Sequence, residues 1–152
     1  MKILMVCLGN ICRSPLAEGI MRNKIGQRKL EWQVDSAGTG GWHSGEKPDR
    51  RSVAVAAKYG INISGQRARQ FHPSDFDDFD LILAMDAANH ADLLRLAPDA
   101  VRGQKVQLIL HAAHGLPLEV ADPYYNDDGF EATFHLLDEA CDKIIERFSP
   151  DS

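Results

Sequence analysis

Ten residues near the start of the chain, Val6-Cys7-Leu8-Gly9-Asn10-Ile11-Cys12-Arg13-Ser14-Pro15, constrain its fold more than any other stretch. Residues 2–8 form a short, almost wholly apolar run, the pattern of a strand buried on both faces of a parallel sheet. Ser14 followed by Pro15 reads as a helix start. A serine hydroxyl is a good N-cap, and proline at the first helical position gives up an N–H that has no partner there anyway. A buried strand that turns through a tight loop directly into a helix opens a βα unit. The backbone N–H groups of that loop, with the first helical turn, converge on one centre and form an anion cradle. Gly9 permits a left-handed or close-approach backbone, and Asn10 is the non-glycine type that best tolerates the same conformation.

The loop also carries chemistry. Five residues separate Cys7 from Arg13. A helix N-terminus and a neighbouring cation favour thiolate over thiol, and a thiolate is a nucleophile at neutral pH. Arg13 offers a planar fork of donors that matches two equatorial oxygens of a phosphoryl group. Taken alone, a cysteine closing an apolar strand is more often an inert small hydrophobe. It is the joint order of strand, Cys, five residues, Arg, Ser and Pro that makes Cys7 a candidate nucleophile. The G-x-x-x-x-G-K-[ST] pattern of nucleotide-binding phosphate loops is absent from the sequence, so the loop points to attack on phosphorus rather than to holding a nucleotide.

Strand-like runs at residues 2–8, 32–36, 80–85 and 105–110 alternate with helical patterns at 15 to about 25, 49–59, after Asp86, and at about 130–148. This alternation predicts an α/β fold, a flavodoxin-like, doubly wound four-stranded parallel sheet with helices on both faces. All loops leaving strand C-termini then emerge at one edge, where such sheets bind ligands. Site residues are therefore expected from residues 9–13, residues 36–47, the Asp86 turn and the irregular segment 111–129. Breaking the P–O bond also needs a proton donor for the departing oxygen, and Asp86 and Asp122 compete for that role. Asp86 precedes a helical pattern and is expected to be its N-cap. Asp122 stands before Pro123 with two aromatics close behind. Trp42, Tyr124 and Tyr125 sit in polar same-edge loops, where they serve either as core packing or as walls for a flat ring.

The ten-residue stretch resembles the signature of the low-molecular-weight protein tyrosine phosphatases. Val34-Asp35-Ser36-Ala37-Gly38-Thr39, the Trp42 loop, Ala84-Met85-Asp86 with Asn89, and Asp122-Pro123-Tyr124-Tyr125 resemble further blocks of that family, in the family's order. The resemblance implies a protein-tyrosine phosphatase that works through a cysteinyl-phosphate, with Cys7 as nucleophile and Arg13 as phosphate clamp. It makes Asp122 the acid in the first step and the base in the second. Leu8, Gly9, Asn10, Ile11 and Cys12 surround the phosphate in this reading, Ser14 donates a hydrogen bond to the Cys7 sulfur, and Trp42, Tyr124 and Tyr125 wall the cleft. Asn10 and Ser36 resemble a loop-supporting polar network. Where relatives commonly have Ser-x-His-x-Ala-Arg, this chain reads Ser64-Gly65-Gln66-Arg67-Ala68-Arg69, so Gln66 in the supporting network can hydrogen-bond but cannot titrate. The expected partners are phosphotyrosine proteins. Tyr124 and Tyr125 resemble tyrosines that are themselves phosphorylated, which would add a cognate tyrosine kinase.

At 152 residues the chain has the length of one domain, 1–152. A formal net charge of -5 argues against a nucleic-acid footprint. No apolar run approaches the ~20 residues of a membrane span, and no signal-peptide pattern opens the chain. A cytoplasmic protein without membrane insertion is expected. Three cysteines, Cys7, Cys12 and Cys141, suit a reducing compartment. The histidines and paired C-x-x-C spacings of a zinc site are missing, so neither metal nor cofactor is expected. Cys12, on the same loop as Cys7, is expected to trap an oxidised Cys7 as a disulfide, making the enzyme redox-sensitive. Two other functions are weighed. Thioredoxin-coupled arsenate reductases share the fold and a Cys-x5-Arg loop but need further cysteines to relay a disulfide, and Cys141 falls on the last helix. A catalytically dead phosphotyrosine-binding module would be expected to lack the thiol, the clamp or the acid, all of which are present.

Overall fold

The computed structural model describes residues 1–149. Four strands, β1 (Lys2–Cys7), β2 (Gln33–Gly38), β3 (Leu81–Ala84) and β4 (Val106–Leu108), form one all-parallel sheet in the order β2-β1-β3-β4. Seven helices connect and flank them: α1 (Arg13–Gln27), α2 (Arg50–Lys58), α3 (Asp75–Asp78), α4 (Ala87–Leu96), α5 (Ala100–Gly103), α6 (Ile109–His114) and α7 (Gly129–Phe148). Successive side chains of a strand face opposite sides, and both sides of β1 are covered. Ile3 and Met5 pack with Leu81 and Leu83 under α1, α2, α6 and α7, while Leu4 and Val6 pack with Ile82, Ala84, Phe71, Phe76 and Leu93. The architecture is the flavodoxin-like, doubly wound sheet expected. Each such side chain, fully removed from water, contributes about 1.5–3 kcal/mol, which explains why β1 is apolar along nearly its whole length.

Several boundaries differ from the sequence reading. The strand expected at 105–110 stops at Leu108, and Ile109–His114 turns into α6 with Ile109, Leu110 and Ala112 buried. A short apolar run has too few residues to reveal a helical or a strand period. The helix ends at Gly115, whose φ of 74° lies in the left-handed region that suits a glycine C-cap. The irregular segment thus begins at residue 115 rather than 111. β2 continues to Gly38, and Gly38 also forms a bridge with Gln70. The helices α3 and α5 have no counterpart in the sequence reading, because four residues carry no periodic signal. α1 starts at Arg13, two residues before Pro15, so proline is the third helical residue; its missing N–H is still one of the first four that lack a helical partner.

Gly38 sits where β2 passes the start of the Cys7 loop. A Cβ there would stand 2.8 Å from the Leu8 carbonyl oxygen and 3.1 Å from the Asn10 nitrogen, both backbone atoms, whereas one at Gly26 meets nothing within 4 Å. Gly38→Ala should therefore cost about 1–3 kcal/mol of overpacking, while Gly26→Ala, in a helix, should be neutral or stabilise by up to about 1 kcal/mol. Urea denaturation of the two variants measures both; a neutral Gly38→Ala contradicts the close approach.

Candidate active site

At the C-terminal edge of the sheet the chain leaves β1 at Cys7 and curls into α1. Thr39 and Gly40, beyond the end of β2, donate their N–H groups to the Cys7 and Leu8 carbonyls, both at 2.9 Å. Asn10 has a φ of 57°, the left-handed conformation anticipated for it. Its side chain is the hub of the loop: Nδ2 donates to Ser14 Oγ at 2.8 Å and to Ser36 Oγ at 2.9 Å, and Oδ1 accepts from the Arg69 N–H at 3.0 Å. Ser36 Oγ in turn donates to Glu18 Oε1 at 2.6 Å. Glu18 is paired with Arg22 at 2.5 Å. Burial pushes the Glu18 carboxyl above its usual range, against the hydrogen bonds from Ser36 and the charge of Arg22.

These bonds have a direction. The single hydroxyl hydrogen of Ser36 goes to Glu18, so Ser36 accepts from Asn10. Ser14 accepts from the same amide, and its own hydrogen is left for Cys7 Sγ, 3.0 Å away. Ser14 is therefore not the N-cap the sequence suggested. The cap position is Cys12, which makes no side-chain capping bond, and Ser14 lies buried in the first turn of α1 with its hydroxyl committed to Asn10 and Cys7. Gln66 is also placed differently from the network expected for it: its Nε2 donates to the Pro15 carbonyl at 3.1 Å, so it supports the first turn of α1 rather than bonding to Asn10 or Ser36.

Arg13 is the largest fully buried side chain, with 2% of its surface exposed. Its Nη1 donates to Asp86 Oδ2 at 2.7 Å and to the Val120 carbonyl at 2.9 Å; Nη2 stands 3.5 Å from Asp122 Oδ2. Nε is buried without a partner among the described residues, a donor available to a ligand oxygen. Asp86 caps α4 as expected, its Oδ1 accepting from the Asn89 N–H at 2.8 Å. Its other oxygen orients the clamp, a role the sequence reading did not include, although Asp86 stood among the same-edge candidates. Asp122 turns Oδ1 to the Tyr124 N–H at 3.1 Å and Oδ2 toward Arg13, with its side chain 41% exposed.

Cys7, Arg13 and Asp122 line a cleft of about 340 Å³ with Trp42, His43, Tyr124 and Tyr125. Trp42 is 65% and Tyr125 94% exposed, so these aromatics are cleft walls and not core. His43 was not anticipated. A Cβ on Gly9 would stand 3.0 Å from His43 Cδ2, so the glycine is there for close approach rather than for a left-handed backbone. Glu46 holds the other side of that ring, 2.6 Å from Nδ1. Its place in the 36–47 loop and its adjacency to Trp42 were the sequence signals for it. Cys12 lines the same cleft but is a different kind of thiol from a nucleophile: burial, with the charges of Asp49 and Asp122, pushes it up to about 12. Cys141 is buried in α7 and does not line the cleft.

What this edge of the sheet can do is take a phosphoryl group onto a thiol, and that makes the chain a phosphatase of the cysteine-dependent class. Comparison with known proteins gives the family. The family model described as low molecular weight phosphotyrosine protein phosphatase matches residues 2–152. A low molecular weight protein-tyrosine-phosphatase of Streptomyces coelicolor is 43% identical over 150 residues, covering 95% of this chain and 91% of its own. A protein tyrosine phosphatase of Entamoeba histolytica, solved with Hepes in its active site, superposes with a TM-score of 0.92 at 37% identity, covering 99% of this chain and 98% of its own. The Drosophila arginine phosphatase DARP superposes with a TM-score of 0.91 at 32% identity over 100% of both chains. The chain belongs to the low molecular weight phosphotyrosine protein phosphatase family.

The three thiols should separate in reactivity. At pH 7 iodoacetamide should modify Cys7 and leave Cys12 and Cys141, the latter also pushed up to about 12 by burial, unmodified. Inorganic phosphate should slow the reaction. Peptide mass mapping reads the sites, and preferential labelling of Cys12 would reverse the assignment.

Proposed function

We propose that this phosphatase hydrolyses phosphotyrosine in proteins, and small aryl phosphates, through a cysteinyl-phosphate on Cys7. The observation that carries the proposal is the placing of Cys7 and the buried Arg13 at the two ends of one loop, with Asp122 3.5 Å from the guanidinium. The phosphoryl oxygens take the backbone N–H groups of residues 8–13 and the Arg13 fork. Cys7 Sγ attacks phosphorus opposite the phenolic oxygen, the P–O bond breaks, and Asp122 gives its proton to that oxygen. Asp122, now a carboxylate, then takes a proton from the water that attacks phosphorus, and the sulfur leaves as a thiolate that accepts the Ser14 hydrogen bond. Arg13 and the loop stabilise the charge on the equatorial oxygens in both steps.

The aromatic walls support an aryl leaving group, since Trp42 and Tyr124 offer flat apolar surface above an apolar Ile11 side chain. Tyr125, almost fully exposed, and Tyr124 are accessible to a tyrosine kinase, which belongs to the same proposal as a second partner. A cytoplasmic location belongs to it as well, because the mechanism needs a reduced thiol.

Comparing leaving groups tests the acid. Cys7→Ser should abolish turnover. Asp122→Ala should lose ~10²–10⁴-fold on phosphotyrosine, whose phenol has a pKa near ~10, and much less on an aryl phosphate with a strongly acidic phenol. Equal losses remove Asp122 from the role. Phosphoarginine belongs in the same assay, and faster turnover of it than of phosphotyrosine would overturn the aryl reading.

Redox control is the second arm. Peroxide takes the Cys7 thiolate to a sulfenic acid, and the Cys12 thiol condenses with it, forming the S–S bond and releasing water. Both thiols line one cleft, and no other cysteine does. After a peroxide pulse, dithiothreitol should restore the wild type more fully than Cys12→Ser, whose Cys7 proceeds to sulfinic acid. Equal recovery rules out the resolving role.

A further inference from the structure

Residues 121–128 carry Asp122, Tyr124 and Tyr125, yet apart from the buried Pro123 little of the fold holds them. Their backbone bonds are local: Asn126 N–H donates to the Pro123 carbonyl and Gly129 N–H to the Asn126 carbonyl, both at 2.9 Å. Among the described residues the segment makes two polar ties to the rest of the chain, Asp122 to Arg13 at 3.5 Å and Asp127 Oδ1 to Arg51 Nη1 at 2.6 Å. The first tie joins two groups that the reaction itself occupies, since the phosphoryl group takes the Arg13 fork and Asp122 turns to the leaving oxygen. The second tie is not consumed by the chemistry.

Arg51 is fixed at its other end to the phosphate loop. It lies in the first turn of α2, and its backbone N–H and Nε both donate to Asp49 Oδ1, at 2.9 and 3.0 Å, while Nη2 donates to Asp49 Oδ2 at 2.9 Å. Asp49 donates its own N–H to the Ile11 carbonyl at 2.8 Å, and Ser52 Oγ donates to the Cys12 carbonyl at 3.3 Å. The guanidinium carbon also stands 4.5 Å from the centroid of the Phe130 ring and 5.4 Å from that of Tyr124. A planar fork can serve a bidentate carboxylate, a second carboxylate and two ring faces together; an ammonium cannot. An isolated surface ion pair contributes little. Arg51, however, is already ordered by Asp49 and the rings, so its bond to Asp127 requires little further loss of side-chain freedom.

We propose that Arg51 is a positioning residue for the general acid: it braces residues 121–128 against the phosphate loop through Asp127 and Tyr124, and so sets where Asp122 and the Tyr124 wall stand over a bound phosphoryl group. The inference rests on the reading of Asp122 given above. Its consequence is specific, because losing the brace misplaces the proton donor and leaves the cradle intact.

The test measures kcat on phosphotyrosine and on an aryl phosphate of strongly acidic phenol, inhibition by inorganic phosphate, and hydrogen exchange of the amides of residues 121–128. The proteins are wild type, Arg51→Lys, Asp127→Ala, the double variant and Asp122→Ala. Asp127 is 83% exposed, so its substitution does not threaten the core. Each single variant should slow phosphotyrosine turnover by about 10–10²-fold, and the activated substrate by less than about threefold. Phosphate inhibition should be unchanged, the amides should exchange faster, and the double variant should be no slower than Arg51→Lys, since both remove one bridge. Unchanged exchange with equal slowing of both substrates overturns the proposal, as does a double variant whose defects multiply. If Asp122→Ala shows no preference between leaving groups, the acid assignment fails, and the brace is then judged by the exchange and the double variant alone.

Discussion

A guanidinium with 2% of its surface exposed has to be neutralised inside the protein, because an unpaired buried charge costs more than a domain's fold can absorb. The partners of Arg13 come from elsewhere in the chain: Asp86 from the turn after β3, and Val120 and Asp122 from the segment after α6. They meet because β1 and β3 are parallel neighbours in a register that pairs Val6 with Ala84. That register places the Met85 N–H on the Val6 carbonyl and the Val120 N–H on the Met85 carbonyl. A slip of one residue would carry Asp86 away from Arg13 and turn the Leu4 and Val6 side chains to the wrong layer. The apolar alternation of the sheet and the pairing of one charge thus specify the same arrangement.

The thiol end of the loop is organised by donors and acceptors instead of charge. Asn10, held at a φ of 57°, puts its amide between two serines and its carbonyl oxygen on the Arg69 N–H. With Glu18 accepting at the far end, the hydrogens run outward from Asn10 in two directions, through Ser36 to Glu18 on one side and through Ser14 to Cys7 on the other. A strained backbone position of this sort persists when its surroundings over-determine it, and here every polar atom of the Asn10 side chain is used. The same loop contains Cys12, which burial keeps a thiol. One short curl therefore contains two sulfurs in different surroundings, and it is Cys7 that stands within hydrogen-bond distance of the Ser14 hydroxyl.

The two ends of the cleft differ in kind. The phosphate end is buried and hydrogen-bonded except at Arg13 Nε, which has no partner among the described residues, whereas the ring end is built from exposed aromatics on the loops after β2 and before α7. The phosphate end is tied to β1, β2 and α1, while the ring end is held by side chains such as Glu46 beside His43 and Arg51 beside Tyr124.

Much of this was legible in the residues. The unbroken apolar run of β1, the spacing of Cys7 and Arg13, the tolerance of Asn10 for a left-handed turn and the cap at Asp86 are local properties, set by a few adjacent side chains and their backbone. They were enough to place the sheet, the cradle and the loops that border it. The failures were also local. Ser14 satisfied the rule for a helix cap, and the run from Val106 to Leu110 satisfied that for a strand, because neither rule knows what lies across space. Only the tertiary structure decided that Gln66 reaches the Pro15 carbonyl, that Asp86 caps a helix and holds Arg13 at once, and that Glu18, His43 and Arg51 support the site. Those assignments depend on contacts between segments tens of residues apart, brought together by strand register and by the burial of a charge, and no periodicity or spacing along the chain encodes them.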